Sequence, residues 1–142
     1  RLIELSVAYT RDRQQFGQAL GSFQAVQHLL ANVAVKLEYA KAPVYRAAYE
    51  IAQRSARASP AVSQAKLAAC EAALLGARNA IQVHGALGYS TDTPLAHMYQ
   101  HARWARFADG ADEVHQMRIA EILMRTYKEQ GEIGPAIGGL PL

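Results

Sequence analysis

QVHGALGYSTDTPLAHMYQHARWARFADGADE, running from Gln82 to Glu113, interrupts a chain that is otherwise helical in pattern. It holds two of the few places where the backbone is released from helix, the Gly85–Gly88 turn and the Ala108–Gly110 loop. Between them, Thr93-Pro94 has the form of a cap with proline at the first helical position, so a short helix is predicted from there to about Arg106. Asp112 then reads as the cap of a further helix through about Lys128. Its apolar residues are Val114, Met117, Ile119, Ile122, Leu123 and Met124.

Upstream, AVSQAKLAACEAALLGARNAIQVHG is rich in alanine, so its backbone can approach its neighbours closely and belongs in the centre of a bundle. Ser59-Pro60 opens this helix and Gly85 closes it as C-cap. The helix before it places Phe23, Val26, Leu29, Leu30, Val33, Leu37, Ala40 and Val44 on one broad face and continues towards Ser55. Ser22 is its expected N-cap. Pro43 lies inside it, removes the hydrogen bond to Tyr39 and predicts a kink there.

A first helix runs to about Gln14, with Leu2, Leu5 and Tyr9 at helical spacing and no capping residue before it. That opening predicts a helix, and further domains, begun upstream of Arg1. The end of the chain, GEIGPAIGGLPL, reads as a flexible tail over residues 131–142. No strand-like alternation or internal repeat occurs. The expected fold is all-α: an up-and-down four-helix bundle over residues 1–130, truncated at its N-terminus.

A chain of 142 residues with 51% hydrophobic content can bury one real core. Its net charge of +3 is small and its basic residues are interspersed with acidic ones, so no nucleic-acid footprint is present. No window approaches the roughly 20 apolar residues of a membrane span, and no signal peptide is present. Cys70, the single cysteine, sits in the alanine-rich helix and reads as a buried thiol of a reducing compartment.

Three places could carry chemistry. Asp109, between Ala108 and Gly110 and after Trp104 and Phe107, would occupy a tight, partly apolar setting that can raise a carboxylate's pKa and make it a base. Asp-Gly is equally a common turn pair. Gln82 with the Gly85–Gly88 turn would let the backbone approach a ligand closely, though a helix C-cap needs the same glycine. Arg13 and Phe16, followed by Gly17, combine a cation and an aromatic just past a helix end, which could hold an anion or simply pack. His97 and His101 stand one turn apart, but without an intervening Glu or a third ligand they predict no metal.

In order and spacing, these residues resemble the acyl-CoA dehydrogenases. RQQFGQALGSFQAVQHLLANVAVKLEYA is similar to that family's R-x-x-F-G…F-Q segment, and QVHGALGYSTDTPLAHMYQHARWARFADG to its Q-x-x-G-G-x-G-[YF]…P…E-G segment. The resemblance implies a C-terminal helical domain of a flavoenzyme whose FAD lies against a middle β domain and a neighbouring subunit. Arg13, Gln15, Phe16, Phe23 and Gln24, with Gln82, Val83, Gly85 and Ala86, would hold the pyrophosphate and adenosine side. Ala111 to Glu113 would touch FAD within their own subunit.

Asp109 stands where the family has its catalytic Glu. It would remove the α-proton of an acyl-CoA thioester bound at Asp109 and Gly110 while the β-hydride passes to FAD. Its backbone N–H would polarise the thioester carbonyl. The resemblance further implies an electron-transferring flavoprotein as acceptor, a homodimer or homotetramer, and a soluble protein of bacterial cytoplasm or mitochondrial matrix, without nucleic acid or membrane.

Four departures are evident. Asp is one methylene shorter than Glu, Ala86 replaces the second glycine of the turn, Ala111 replaces a threonine, and Gln100-His101 stands where Arg-Asp is common. ADGADEVH resembles an Asp-Gly sub-branch of the dehydrogenases. A nitroalkane oxidase of the same superfamily, which also uses an Asp base, and a non-catalytic self-association module are the alternatives.

Overall fold

The computed structural model describes residues 1–134, so the predicted tail from residue 135 on lies outside the described residues. Among the described residues six α-helices form in order: α1 (Leu2–Asp12), α2 (Gln24–Ala52), α3 (Ala58–His84), α4 (Ala86–Tyr89), α5 (Leu95–Trp104) and α6 (Asp112–Gln130). The fold is all-α, as the spacing of apolar residues requires. The one strand pairing among the described residues was not expected. It is a minimal hairpin of β1 (Gln14–Gln15) and β2 (Gln18–Ala19), with Gln14 opposite Ala19 and Gln15 opposite Gln18. Among the described residues no helix is long and apolar enough to cross a membrane.

The chain forms two compact units. One comprises Arg1–Tyr39 and Cys70–Ala105, the other Ala40–Ala69 and the described residues from Arg106 onward. The boundary in α2 falls at Tyr39, whose carbonyl loses its intrahelical donor because Pro43 has no N–H.

Several helix ends differ from expectation for local reasons. Ser22 belongs to a 3-10 turn, Leu20–Ser22, and α2 starts two residues later. Helix α3 starts at Ala58, before Ser59-Pro60. Ser55 Oγ instead accepts the Arg57 N–H at 3.1 Å, and Pro60 still falls in the first turn, where its missing N–H leaves nothing unsatisfied. Thr93 does not cap α5, because its hydroxyl donates to the Leu87 carbonyl at 3.2 Å. Asp112 is not a cap either. Ala111 holds that position, and the Asp112 carboxylate turns into the protein.

In the first unit, α2 and α3 run antiparallel: Asn79 Nδ2 donates to the Leu29 carbonyl at 3.1 Å, and Lys36 pairs with Glu71 at 2.7 Å. Gly76 of α3 lies where a Cβ would touch Leu2 of α1 and Val33 of α2 at ordinary contact distance. Leu95, essentially inaccessible, anchors the start of α5, and its burial is worth about 2 kcal/mol. Cys70 is buried, its thiol directed at the Ala105 carbonyl 3.4 Å away.

In the second unit, Ala47 of α2 packs with Ala61 and Ala65 of α3, the close backbone approach that small residues permit. The apolar residues expected to form the inner face of α6 are only partly inside. Ile122 is buried, whereas Val114, Met117 and Met124 are exposed, Met124 at 74%. Leu37 and Val44 of the expected α2 stripe are also exposed.

Candidate functional site

In the first unit, a corner is built where α1 ends. The Arg13 N–H donates to the Tyr9 carbonyl at 2.9 Å, and its own carbonyl accepts the Leu20 N–H at 2.8 Å, so this residue is pinned from both sides. The hairpin that follows turns at Phe16 (φ 53) and Gly17 (φ 80). Positive φ at both central residues matches the right-handed twist of paired strands, which is why such short hairpins use it. Glycine adopts it freely, but for Phe16 it costs about 1–2 kcal/mol. That side chain is 92% exposed, touching Phe23 edge-on at 6.2 Å between ring centres.

The facing wall is the end of α3. Gly85 adopts φ 61 and ψ −141, a conformation L side chains avoid, and so ends the helix and reverses the chain. His84 is buried, stacked on Tyr9 with ring centres 4.2 Å apart. Its Nδ1 lies 2.7 Å from the Ala80 carbonyl, which can only accept, so Nδ1 carries the proton. Gly88 is required for space, because a Cβ there would fall 2.9 Å from the Cα and carbonyl oxygen of Ile81.

Between these walls lies a hollow of about 540 Å³, within the size range of small-molecule sites. Six residues singled out from sequence line it together: Arg13, Gln15, Gln82, Val83, Gly85 and Ala86. Leu20 and Val26 give it apolar surface. Phe16, Phe23 and Gln24 are not among the lining residues. The sequence reading missed Tyr9 and His84, whose stacking ties α1 to α3 beside the hollow.

In the second unit, Asp109 sits on the loop between α5 and α6. It is exposed, with φ 52, followed by Gly110 at φ 97. The enclosed apolar setting expected for it is not formed by the described residues, since Trp104 and Phe107 are themselves half-exposed. The ends of the loop are held firmly instead. Lys66 and Arg106 each place a nitrogen 2.5 Å from one oxygen of the buried Asp112 carboxylate, and the Asp112 N–H donates to the Arg106 carbonyl at 2.9 Å. Burial alone would push the Asp112 carboxyl up. Hydrogen bonds from Lys66 and Arg106, with their positive charge, outweigh it and hold Asp112 below the usual carboxylate range.

The loop has one more support. His115 Nε2 lies 3.3 Å from the Asp109 carbonyl and Nδ1 lies 3.1 Å from Ser63 Oγ. Ala111 caps α6, and Glu113 is exposed in its first turn. Among the described residues, no three side chains of metal-ligating type converge.

The first unit thus carries a hollow lined by one guanidinium and two side-chain amides, and the second a loop whose ends are braced by an ion cluster. The family described as acyl-CoA dehydrogenase, C-terminal domain, matches residues 1–124, and the chain belongs to it. It is 37% identical to the 3-(aryl)acrylate reductase of Clostridium sporogenes over 87% of its length and 32% of that protein. It is 32% identical to the caffeyl-CoA reductase-Etf complex subunit CarC of Acetobacterium woodii, again over 87% of this chain and 32% of that one. The solved prolyl acyl carrier protein oxidase AnaB superposes with a TM-score of 0.82 at 36% identity, covering 87% and 32%. The chain thus spans about a third of the length of these relatives.

Proposed function

We propose that this chain is the C-terminal helical domain of an FAD-dependent acyl-CoA dehydrogenase, with Asp109 as the base. The observation that carries the reading is the hollow that gathers Arg13, Gln15, Gln82, Gly85 and Ala86. Its donor set fits FAD: a guanidinium for the pyrophosphate, two side-chain amides for ribose or adenine edges, and apolar surface from Leu20 and Val26 for a flat ring. The would-be Cβ of Gly85 meets no atom within 4 Å, which leaves backbone open to a ligand. Phe16, Phe23 and Gln24 would extend this contact along the hairpin, and Ala111 and Glu113 would touch FAD within their own subunit.

Bound FAD supplies the hydride acceptor. The chain's own part is proton transfer. The exposed Asp109 carboxylate takes the proton as the α C–H bond of an acyl-CoA thioester breaks, and the electron pair moves into the thioester. The β-hydride departs with its two electrons and an α,β-double bond forms. The Asp109 N–H would donate to the thioester oxygen, favouring the charge that develops there, and Gly110 would keep the approach clear. An electron-transferring flavoprotein is the partner, a reading supported by the likeness to the Etf-complex subunit. A homodimer or homotetramer is the proposed assembly.

The test is reductive bleaching of flavin in the complete FAD-loaded polypeptide under a panel of acyl-CoA thioesters. Wild type should bleach with at least one of them, and Asp109→Ala should slow that step by 100-fold or more, the scale of a lost general base (~10²–10⁴-fold). Equal bleaching in both would remove Asp109 from the role. An oxidase is the second reading, motivated by the likeness to AnaB. Peroxide formed in step with substrate, with no need of an electron-transfer partner, would favour it.

A further inference from the structure

We propose that His115, held by Ser63, is a positioning residue that sets the backbone of Asp109 and so the place from which its short carboxylate acts. The inference rests on the reading of Asp109 as the base. Asp109 holds φ 52, a left-handed conformation that aspartate enters more readily than most side chains but still less freely than glycine. Such a conformation persists only where its surroundings impose it. Asp112 with Lys66 and Arg106 fixes the ends of the loop.

His115 contacts Asp109 itself. The Asp109 carbonyl can only accept, so Nε2 carries a proton and donates it there at 3.3 Å. In the neutral ring Nδ1 is then an acceptor, and Ser63 Oγ donates to it at 3.1 Å. Ser63 is buried on α3, so the ring is oriented from a rigid element rather than from solvent. The ring also fills the place where a side chain at Gly110 would go, with Nε2 3.0 Å from the position of a Cβ. Glycine at residue 110 is required by its φ of 97, and the His115 ring packed against it fixes the peptide plane after Asp109. An aspartate has one rotatable bond fewer than a glutamate with which to correct a misplaced backbone, so this brace matters more here than beside a longer base.

The test compares His115→Leu, His115→Gln and Ser63→Ala in the complete FAD-loaded polypeptide. It follows turnover per bound flavin and amide hydrogen exchange across residues 107–111. His115→Leu should lower kcat by 10-fold to about 100-fold, the scale on which small misplacements act, with KM changed less than twofold. Exchange at Gly110 and Ala111 should quicken at least tenfold.

Glutamine retains an N–H donor near the place of Nε2 and should recover most of both losses. Ser63→Ala, a small truncation that keeps the fold, should give a weaker version of the His115→Leu result. Wild-type kcat and unchanged exchange in His115→Leu would overturn the proposal, as would failure of the glutamine variant to recover either. If no acyl-CoA bleaches even wild type, the base assignment fails. Exchange alone then decides the brace: faster exchange in His115→Leu upholds it and unchanged exchange overturns it.

Discussion

Two glycines in the turn after α3 look alike in sequence and differ in what they do. Gly85 is needed for its backbone: at φ 61 any side chain is strained, although nothing stands within 4 Å of the place a Cβ would take. Gly88 is needed for space, since a Cβ there would lie 2.9 Å from the backbone of Ile81. Backbone cannot move aside as a flexible side chain can, so Gly88→Ala should destabilise by about 1–3 kcal/mol, the range for overpacking. Urea unfolding of the two variants, monitored by circular dichroism, should show a lowered midpoint for Gly88→Ala. Gly85→Ala should cost about 1 kcal/mol or somewhat more through strain alone, and should additionally weaken any ligand bound in the hollow. The spacing of these glycines was legible, but which of them answers to dihedral angle and which to crowding depends on Ile81 and His84 packing beneath them.

At the scale of elements, the ion cluster of Lys66, Arg106 and Asp112 joins α3 to the base of the loop before α6. Asp112 was expected to cap α6. A cap and a buried carboxylate want the same residue at the same place, and only the proximity of Lys66, forty-six positions away in the chain, separates them. Removing one partner of a buried pair leaves an uncompensated charge, and Asp112→Asn should cost about 3 kcal/mol at neutral pH. This is the lower end of that range, because Arg106 is 40% exposed.

The pH dependence has a definite sign. The folded-state pKa of Asp112 is depressed, so its contribution is fully present above the unfolded value of about 3.9 and is lost as pH falls through the lower folded value. The stability difference between wild type and Asp112→Asn, taken from denaturant titrations at pH 7 and pH 3, should therefore shrink at the lower pH. A constant difference would deny the cluster its role. The hairpin was illegible for another reason. Two residues a side cannot show alternation, and the only trace is Phe16-Gly17 between glutamines, where the left-handed turn forms.

At the scale of the molecule, exposed apolar groups point outward. Met117 is 56% and Met124 74% exposed on α6, where helical spacing places them in a core. The relatives are about three times as long as this chain. The proposed homodimer or homotetramer predicts that the 142-residue chain itself associates. Light scattering at high concentration should return a mass of at least twice 15.5 kDa, and a strictly monomeric species would count against it. Mixed with FAD and acyl-CoA alone, the chain should give no turnover, because the two faces of a flavin need walls beyond this one.

The helical class, the approximate breaks in the chain, the family and six of the residues that line the hollow could be read from sequence alone. Those follow from local rules of period, capping and backbone freedom, and from the order of short segments. Tertiary structure decided that Arg13 and Gln82, far apart in the chain, line one wall-to-wall hollow, and that Phe16 turns a hairpin outward. It also decided that Asp112 is buried with two cations and that His115 grips the carbonyl of Asp109. Each of these depends on which helix faces which, and a burial or a hydrogen bond between distant residues leaves no period in the sequence to be read.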